Sequence, residues 1–188
     1  MPILGITASQ MTGHLVSLAY DSIATGIVGS GTTTTVSFTS IPSTYKHLQI
    51  RILARSDSAS AGLGVRANTD SGMSYTVHYI QGNGATPTSA SLATGTLNYG
   101  LVGFLPQTVS LASAFNGTVI DILDYANTLK NKTIRSFSGL DMNGSGDVRV
   151  SSVLWTSTSA ITQLDFIVNT GGNAIAQYSS FALYGIKG

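Results

Sequence analysis

The sequence predicts an all-β fold, an antiparallel β-sandwich, on three observations. Large and small side chains alternate with period two in strand-length pulses, helix signals are scarce, and residues with turn chemistry separate the pulses. The closing stretch, residues 177–188, shows the alternation most clearly. Successive side chains of a strand point to opposite faces, which puts Phe181 and Leu183 on one face and Tyr178, Tyr184 and Ile186 on the other. A chain patterned up to such an end is expected to be anchored in a sheet there, because loose ends are as a rule polar and unpacked.

The elements follow in chain order. Residues 1–20 read as an extended arm in which Ile3, Leu4, Ile6, Met11, Leu15 and Leu18 are spread too thinly to build a core of their own. A helix over 9–19 competes for the same residues, but Gly13 in its interior costs about 1 kcal/mol relative to Ala. Residues 20–28 and 34–39 predict an opening strand pair around Gly29-Ser30-Gly31, and Pro42 sits before the next strand, where no ladder needs its missing N–H. Residues 46–55 place Leu48, Ile50, Ile52 and Ala54 on one face, with Gln49, Arg51 and Arg55 on the other. Residues 63–68 and 74–79 repeat the pattern, as do 118–125, 133–142, 147–155, 161–168 and 178–186. That makes about nine or ten strands at roughly 8–15-residue spacing, the signature of a sandwich or barrel.

Asn83-Gly84, Asn116-Gly117 and Asn143-Gly144 are dipeptides suited to the positive φ angles of tight hairpin turns. Residues 85–96, small and polar with one Pro, predict an exposed loop that is free to touch something. A short helical turn is allowed over 124–130. The domain division is then an arm, 1–20, and one sandwich domain, 21–188.

Composition narrows the function classes. Of the 188 residues 9% are charged, none is Glu, and the formal net charge is +1. An ordinary soluble domain is about 25% charged, so this surface is polar and neutral, with Ser and Thr making up about a quarter of the chain. Such a surface suits a protein covered by copies of itself or by partners. The nine basic residues are scattered, which argues against a nucleic-acid partner. No apolar run approaches the roughly 20 residues of a membrane span, and the first 20 residues lack the basic start and apolar centre of a secretory signal. With no Cys there are no disulfides, thiolate metal sites or cysteine nucleophiles.

The search for chemistry returns no catalytic residue, no metal site and no cofactor. His14, His47 and His78 share no metal-ligand spacing. Asp121 and Asp124, three apart on a strand, face opposite ways and make a poor carboxylate pair. Residues 141–147 resemble the first half of a calcium loop, but Ser152 stands where the bidentate acid is required, and a hairpin turn explains the same residues. Neither Gly29-Ser30-Gly31 nor Gly144-Ser145-Gly146 carries the Lys of a phosphate loop. Tyr75, Tyr79, Tyr99, Phe104 and Trp155 are the aromatics that could read a sugar face, although packing is the commoner fate of strand aromatics. The residues offered for surface recognition are Tyr79, Thr86, Thr88 and Tyr99.

The opening Met1-Pro2-Ile3-Leu4-Gly5-Ile6, the segment Ile41-Pro42-Ser43-Thr44-Tyr45-Lys46-His47-Leu48-Gln49-Ile50-Arg51 and the closing Phe181-Ala182-Leu183-Tyr184-Gly185-Ile186-Lys187 carry a resemblance. Together they resemble small structural proteins of tailed bacteriophage virions. The resemblance implies a sandwich of jelly-roll type and a homo-oligomer, commonly a trimer. It places the chain in the virion, assembled in the bacterial host cytoplasm, with the major capsid protein or tail proteins as partners. Capsid decoration, or cementing, is the leading placement; the alternative is a tail, fibre or baseplate component with host-receptor glycan binding. The resemblance brings no catalytic residue with it. On this reading the arm residues Ile3, Leu4, Ile6, Met11, Leu15 and Leu18 contact neighbouring subunits.

Overall fold

The computed structural model describes residues 19–57, 61–107, 111–169 and 172–188, without the side chains of 93, 94 and 96. The arm residues Ile3, Leu4, Ile6, Met11, Leu15 and Leu18 lie outside the described residues. The described chain is all-β, contains no helix, and pairs its strands antiparallel. None of its segments is a helix long and apolar enough to cross a membrane.

The strands are β1 (Tyr20–Ile27), β2 (Thr32–Thr33), β3 (Thr35–Phe38), β4 (His47–Ala54), β5 (Ala61–Ala67), β6 (Tyr75–Gly82), β7 (Thr88–Leu97), β8 (Gly100–Leu105), β9 (Asn116–Leu123), β10 (Lys132–Asp141), β11 (Gly146–Trp155), β12 (Leu164–Val168), β13 (Ile175–Ala176) and β14 (Ser180–Ile186). An eight-stranded sheet runs in the order β1-β14-β4-β9-β10-β11-β6-β7, a four-stranded sheet in the order β3-β12-β5-β8, and β13 pairs with β2. A jelly roll divides eight strands between two sheets; here the division is eight and four, and an antiparallel β-sandwich is the description the strand order supports.

Alternation drives the layering. Leu48, Ile50, Ile52 and Ala54 all turn into the core from β4, as do Phe181 and Leu183 from β14 and Ile120 and Ile122 from β9. The four-stranded sheet answers with Phe38, Leu63, Val65 and Phe166. Phe166 joins the two layers, its ring 6.2 Å from Phe38 edge-on and 5.5 Å from Phe181. Each such aliphatic or aromatic side chain contributes about 1.5–3 kcal/mol by leaving water, and centroid separations of this size add a preferred ring geometry.

Four sequence expectations are corrected. The segment expected to be a loop, 85–96, is in large part strand β7, which extends the sheet by pairing with β6. The expected opening hairpin does not form: β1 pairs with β14, whereas β3 pairs with β12 in the other sheet. Asn116-Gly117 opens β9 instead of making a turn. Residues 124–130 form a turn, with Asp124 at φ 49°, and not a helix. That positive φ ends β9 and redirects the chain, so Tyr125 enters the core and its hydroxyl donates to the Pro42 carbonyl. Asn83-Gly84 and Asn143-Gly144 do lie in turns, with Gly84 at φ 86° and Asn143 and Gly144 at 57° and 109°.

Candidate interaction surface

The register of the eight-stranded sheet assembles, on its outer face, side chains that the sequence keeps far apart. Arg51, Val119, Phe137, Val150, Ile80 and Ser89 are successive partners across β4, β9, β10, β11, β6 and β7. The four apolar members are open to solvent: Val119 at 38%, Phe137 at 56%, Val150 at 47% and Ile80 at 61%. The next row continues the apolar surface at lower relief. It runs Leu53, Gly117, Gly139, Val148 and Gly82, and both Leu53 and Val148 are exposed. Side chains added at Gly82 or Gly139 would meet nothing within 4 Å, so this row forms a shallow open trough. Glycine inside a strand commonly marks a place where another backbone or a ligand approaches closely.

On the other side of the apolar row lies a polar one: Gln49, Asp121, Arg135, Ser152, His78 and Ser91. Gln49 Nε2 donates to Asp121 Oδ1 at 3.0 Å, and Arg51 Nε donates to Gln49 Oε1 at 3.0 Å while its guanidinium lies 5.2 Å from the Tyr184 ring centre. The outer face is therefore a band of aliphatic and aromatic groups bordered on one side by a row of polar groups. Contiguous exposed apolar area of this kind is characteristic of surfaces that other molecules cover.

Two confluent grooves of about 570 and 490 Å³ run over β6, between β11 and β7. They share Ile80, Ser89 and Val150, and no Asp, Lys or Arg lines either of them. Of the residues expected at a recognition surface, Thr88 lines one groove and is exposed, whereas Thr86 is exposed with its N–H donating to Asn83 Oδ1. Tyr79 belongs to the lining of the other groove, but its ring is half-buried against Arg149, 4.1 Å from the guanidinium. Tyr99 is remote from both grooves and lines a different depression beside Arg66 and Asn169, where its hydroxyl accepts from Asn169 Nδ2 at 3.0 Å. Tyr79 and Thr88 therefore border the confluent grooves, whereas Thr86 and Tyr99 line neither of them. Of the other aromatics, Tyr75 and Trp155 are core residues.

Behind the outer face, one end of the sandwich interior is polar. Asn116 Nδ2 donates to Ser138 Oγ at 3.0 Å, and Thr118 Oγ1 donates to Asn116 Oδ1 at 2.6 Å. Gly103 of β8 covers this trio so closely that a Cβ there would lie 2.9 Å from Ser138 Oγ. Arg149 is 3% exposed, stacked 4.1 Å from both the Tyr79 and Phe104 rings, and its Nη2 donates to Gln81 Oε1. Burial pushes the Arg149 guanidinium below its ordinary range, partly offset by Asp147.

Of the positions weighed for chemistry, His14 lies outside the described residues. His47 Nδ1 accepts from the Asp124 N–H at 3.0 Å, and Asp124 is held to about 2 by Lys130 at 2.6 Å and Lys46 at 3.1 Å. His78 stands exposed in the polar row. Asp141 closes the β10–β11 hairpin, its Oδ1 accepting from the Asn143 N–H at 2.8 Å. No group of three or more metal-ligating side chains comes together among the described residues. Comparison of the chain with protein-family models, with curated proteins and with solved structures returns no match.

Proposed function

We propose that this chain is a structural, non-catalytic protein of a tailed-bacteriophage virion, with capsid decoration as its leading placement. It acts as a homo-oligomer of jelly-roll type that bridges boundaries between shell subunits. The observation that carries the proposal is the outer row Val119, Phe137, Val150 and Ile80, an uncharged apolar band on a sheet whose chain is only 9% charged. The virion itself is inferred from the resemblance of the chain ends and of residues 41–51.

Physically the role is passive. Neutral Ser and Thr groups make short hydrogen bonds across an interface without the cost of desolvating Lys or Glu. Several modest contacts reinforce one another, because once one subunit contact forms the next engages at high effective concentration. The exposed Thr88 beside the β6 groove favours a tail or fibre placement with glycan recognition as the second reading.

Gold labelling of the protein on assembled particles, followed by imaging, tests the proposal. Label over the head supports decoration, label on the tail supports the second reading, and absence from particles refutes both.

A further inference from the structure

The groove over β6 has properties that select its occupant. Its floor rises at Ile80 and falls away at Gly82, where an incoming side chain meets open space. Val148 and Val150 form an apolar wall on the β11 side, and Ser89 and Ser91 face them from β7. No Asp, Lys or Arg lies on the lining and His78 is the one basic group there, so the groove offers chiefly aliphatic contact along one side and hydroxyl hydrogen bonds along the other. An extended peptide that alternates aliphatic with small polar residues matches both sides, because successive side chains point opposite ways.

This chain carries, outside the described residues, an uncharged segment of mixed aliphatic and small polar residues, without strict alternation. Residues 1–18 contain no Asp, Glu, Lys or Arg and hold Ile3, Leu4, Ile6, Met11, Leu15 and Leu18 among Ser, Thr, Gly and Gln. They are followed by Ala19, whose carbonyl accepts from the Lys187 N–H at 3.1 Å, and then by β1. β1 and β7 are the opposite edges of the eight-stranded sheet, and the groove lies at the β7 edge. Six strand spacings of about 4.8 Å separate β1 from β6, roughly 29 Å, whereas 18 extended residues reach about 60 Å.

We infer that the β6 groove is the docking site for residues 1–18 of a neighbouring copy of this chain. The inference rests on the proposed self-assembly and adds the place where one copy holds the next. The start of β1, to which the donor segment is joined, and the acceptor groove lie at opposite edges of one sheet, which is the head-to-tail arrangement that closes into a ring when the rotation between copies allows it. Within a single copy the segment is also long enough to cross the outer face to its own groove, so bonds within one chain are the outcome that separates the two arrangements.

The natural absence of Cys makes the test clean. In the full chain, Cys is introduced in turn at Ile3, Ile6 and Met11, each together with Ser89→Cys, and the oxidised proteins are run without reductant. At least one pair should give covalent multimers between chains, at least tenfold more than the same arm variant combined with Thr133→Cys on another part of the face. A second variant, Val150→Asp, should abolish the oligomer in sedimentation while leaving the near-ultraviolet circular dichroism of Trp155 unchanged. Bonds formed only within a chain, or multimers equally abundant with Thr133→Cys, overturn the docking site. An unmodified chain that is oligomeric, together with double-Cys variants that form no bonds between chains, refutes the docking and spares self-assembly. An unmodified chain that sediments as a monomer at micromolar concentration refutes both.

Discussion

Trp155 Nε1 donates to Asp70 Oδ2 at 2.7 Å, tying the end of β11 to the turn that follows β5. Asp70 is spent further on that turn, where its Oδ1 accepts from the Gly72 N–H at 2.8 Å. These bonds, that from Trp155 above all, hold the Asp70 carboxyl below its ordinary 3.8. A hydrogen bond to a charged group contributes about 1.5–3 kcal/mol. Asp70→Ala should therefore cost about 2 kcal/mol in urea unfolding, followed by the fluorescence of the single Trp. The sign of the pH dependence follows from the lowered folded value: the contribution is complete above the unfolded value and is lost as pH falls through the folded one. Wild-type stability should fall with acid more steeply than that of Asp70→Asn.

Asp124, immediately after β9, is a second carboxylate held by its partners. Lys130 first and Lys46 second hold it at about 2, against an ordinary 3.8. Lys130→Gln should raise the Asp124 carboxyl towards 3.8 in a carbon-detected NMR titration. Whatever the ion pairs contribute is present above the unfolded value and disappears as pH drops through about 2. Unchanged titration in the variant would show that Lys46 suffices.

Arg149 separates packing from charge. Its guanidinium lies between the Tyr79 and Phe104 rings, and burial disfavours its charged form. Replacing a buried charge by an apolar group of similar volume is often neutral or stabilising, whereas leaving a void costs several kcal/mol. Arg149→Met should stay within about 1 kcal/mol of wild type in chemical denaturation, and Arg149→Ala should lose about 3 kcal/mol. Equal losses in the two variants would mean that the charge itself carries the stability.

The same residue shows why the outer face was hard to read. In β11 the buried side chains are Arg149, Ser151, Val153 and Trp155, so Val148 and Val150 point to solvent. Hydrophobicity alone assigns Val148 and Val150 to the core and Arg149 to the outside. Parity contradicts that assignment, since they cannot share a face with Val153 and Trp155, and that conflict was the available signal. Phe137 is exposed for the same reason between inward Ile134 and Leu140. β4 was legible because Leu48, Ile50, Ile52 and Ala54 share one face, and β14 because Phe181 and Leu183 share one. β7 was not, because Thr88–Leu97 is small and polar on both faces, and β8 was missed because Gly100–Leu105 is an apolar run without alternation. The rows themselves come from register, which links residues tens of positions apart and leaves no local trace.

Gly185 gives the sharpest packing prediction. A Cβ at this position would fall 2.3–2.5 Å from three ring atoms of Tyr45, so the ring lies directly on the glycine backbone of β14. The phenol ring moves as a rigid plate and cannot yield by bending. Overpacking of this kind costs about 1–3 kcal/mol, and Gly185→Ala should lose close to the upper end of that range in thermal or urea unfolding. Tyr45→Ala should be destabilising on its own account, because the ring packs against the core cluster. In the double variant the clash is gone, so its loss should be smaller than the sum of the two single losses by about 1–2 kcal/mol, the coupling expected of side chains in direct contact. Simple additivity would show that the ring does not sit on Gly185 in solution.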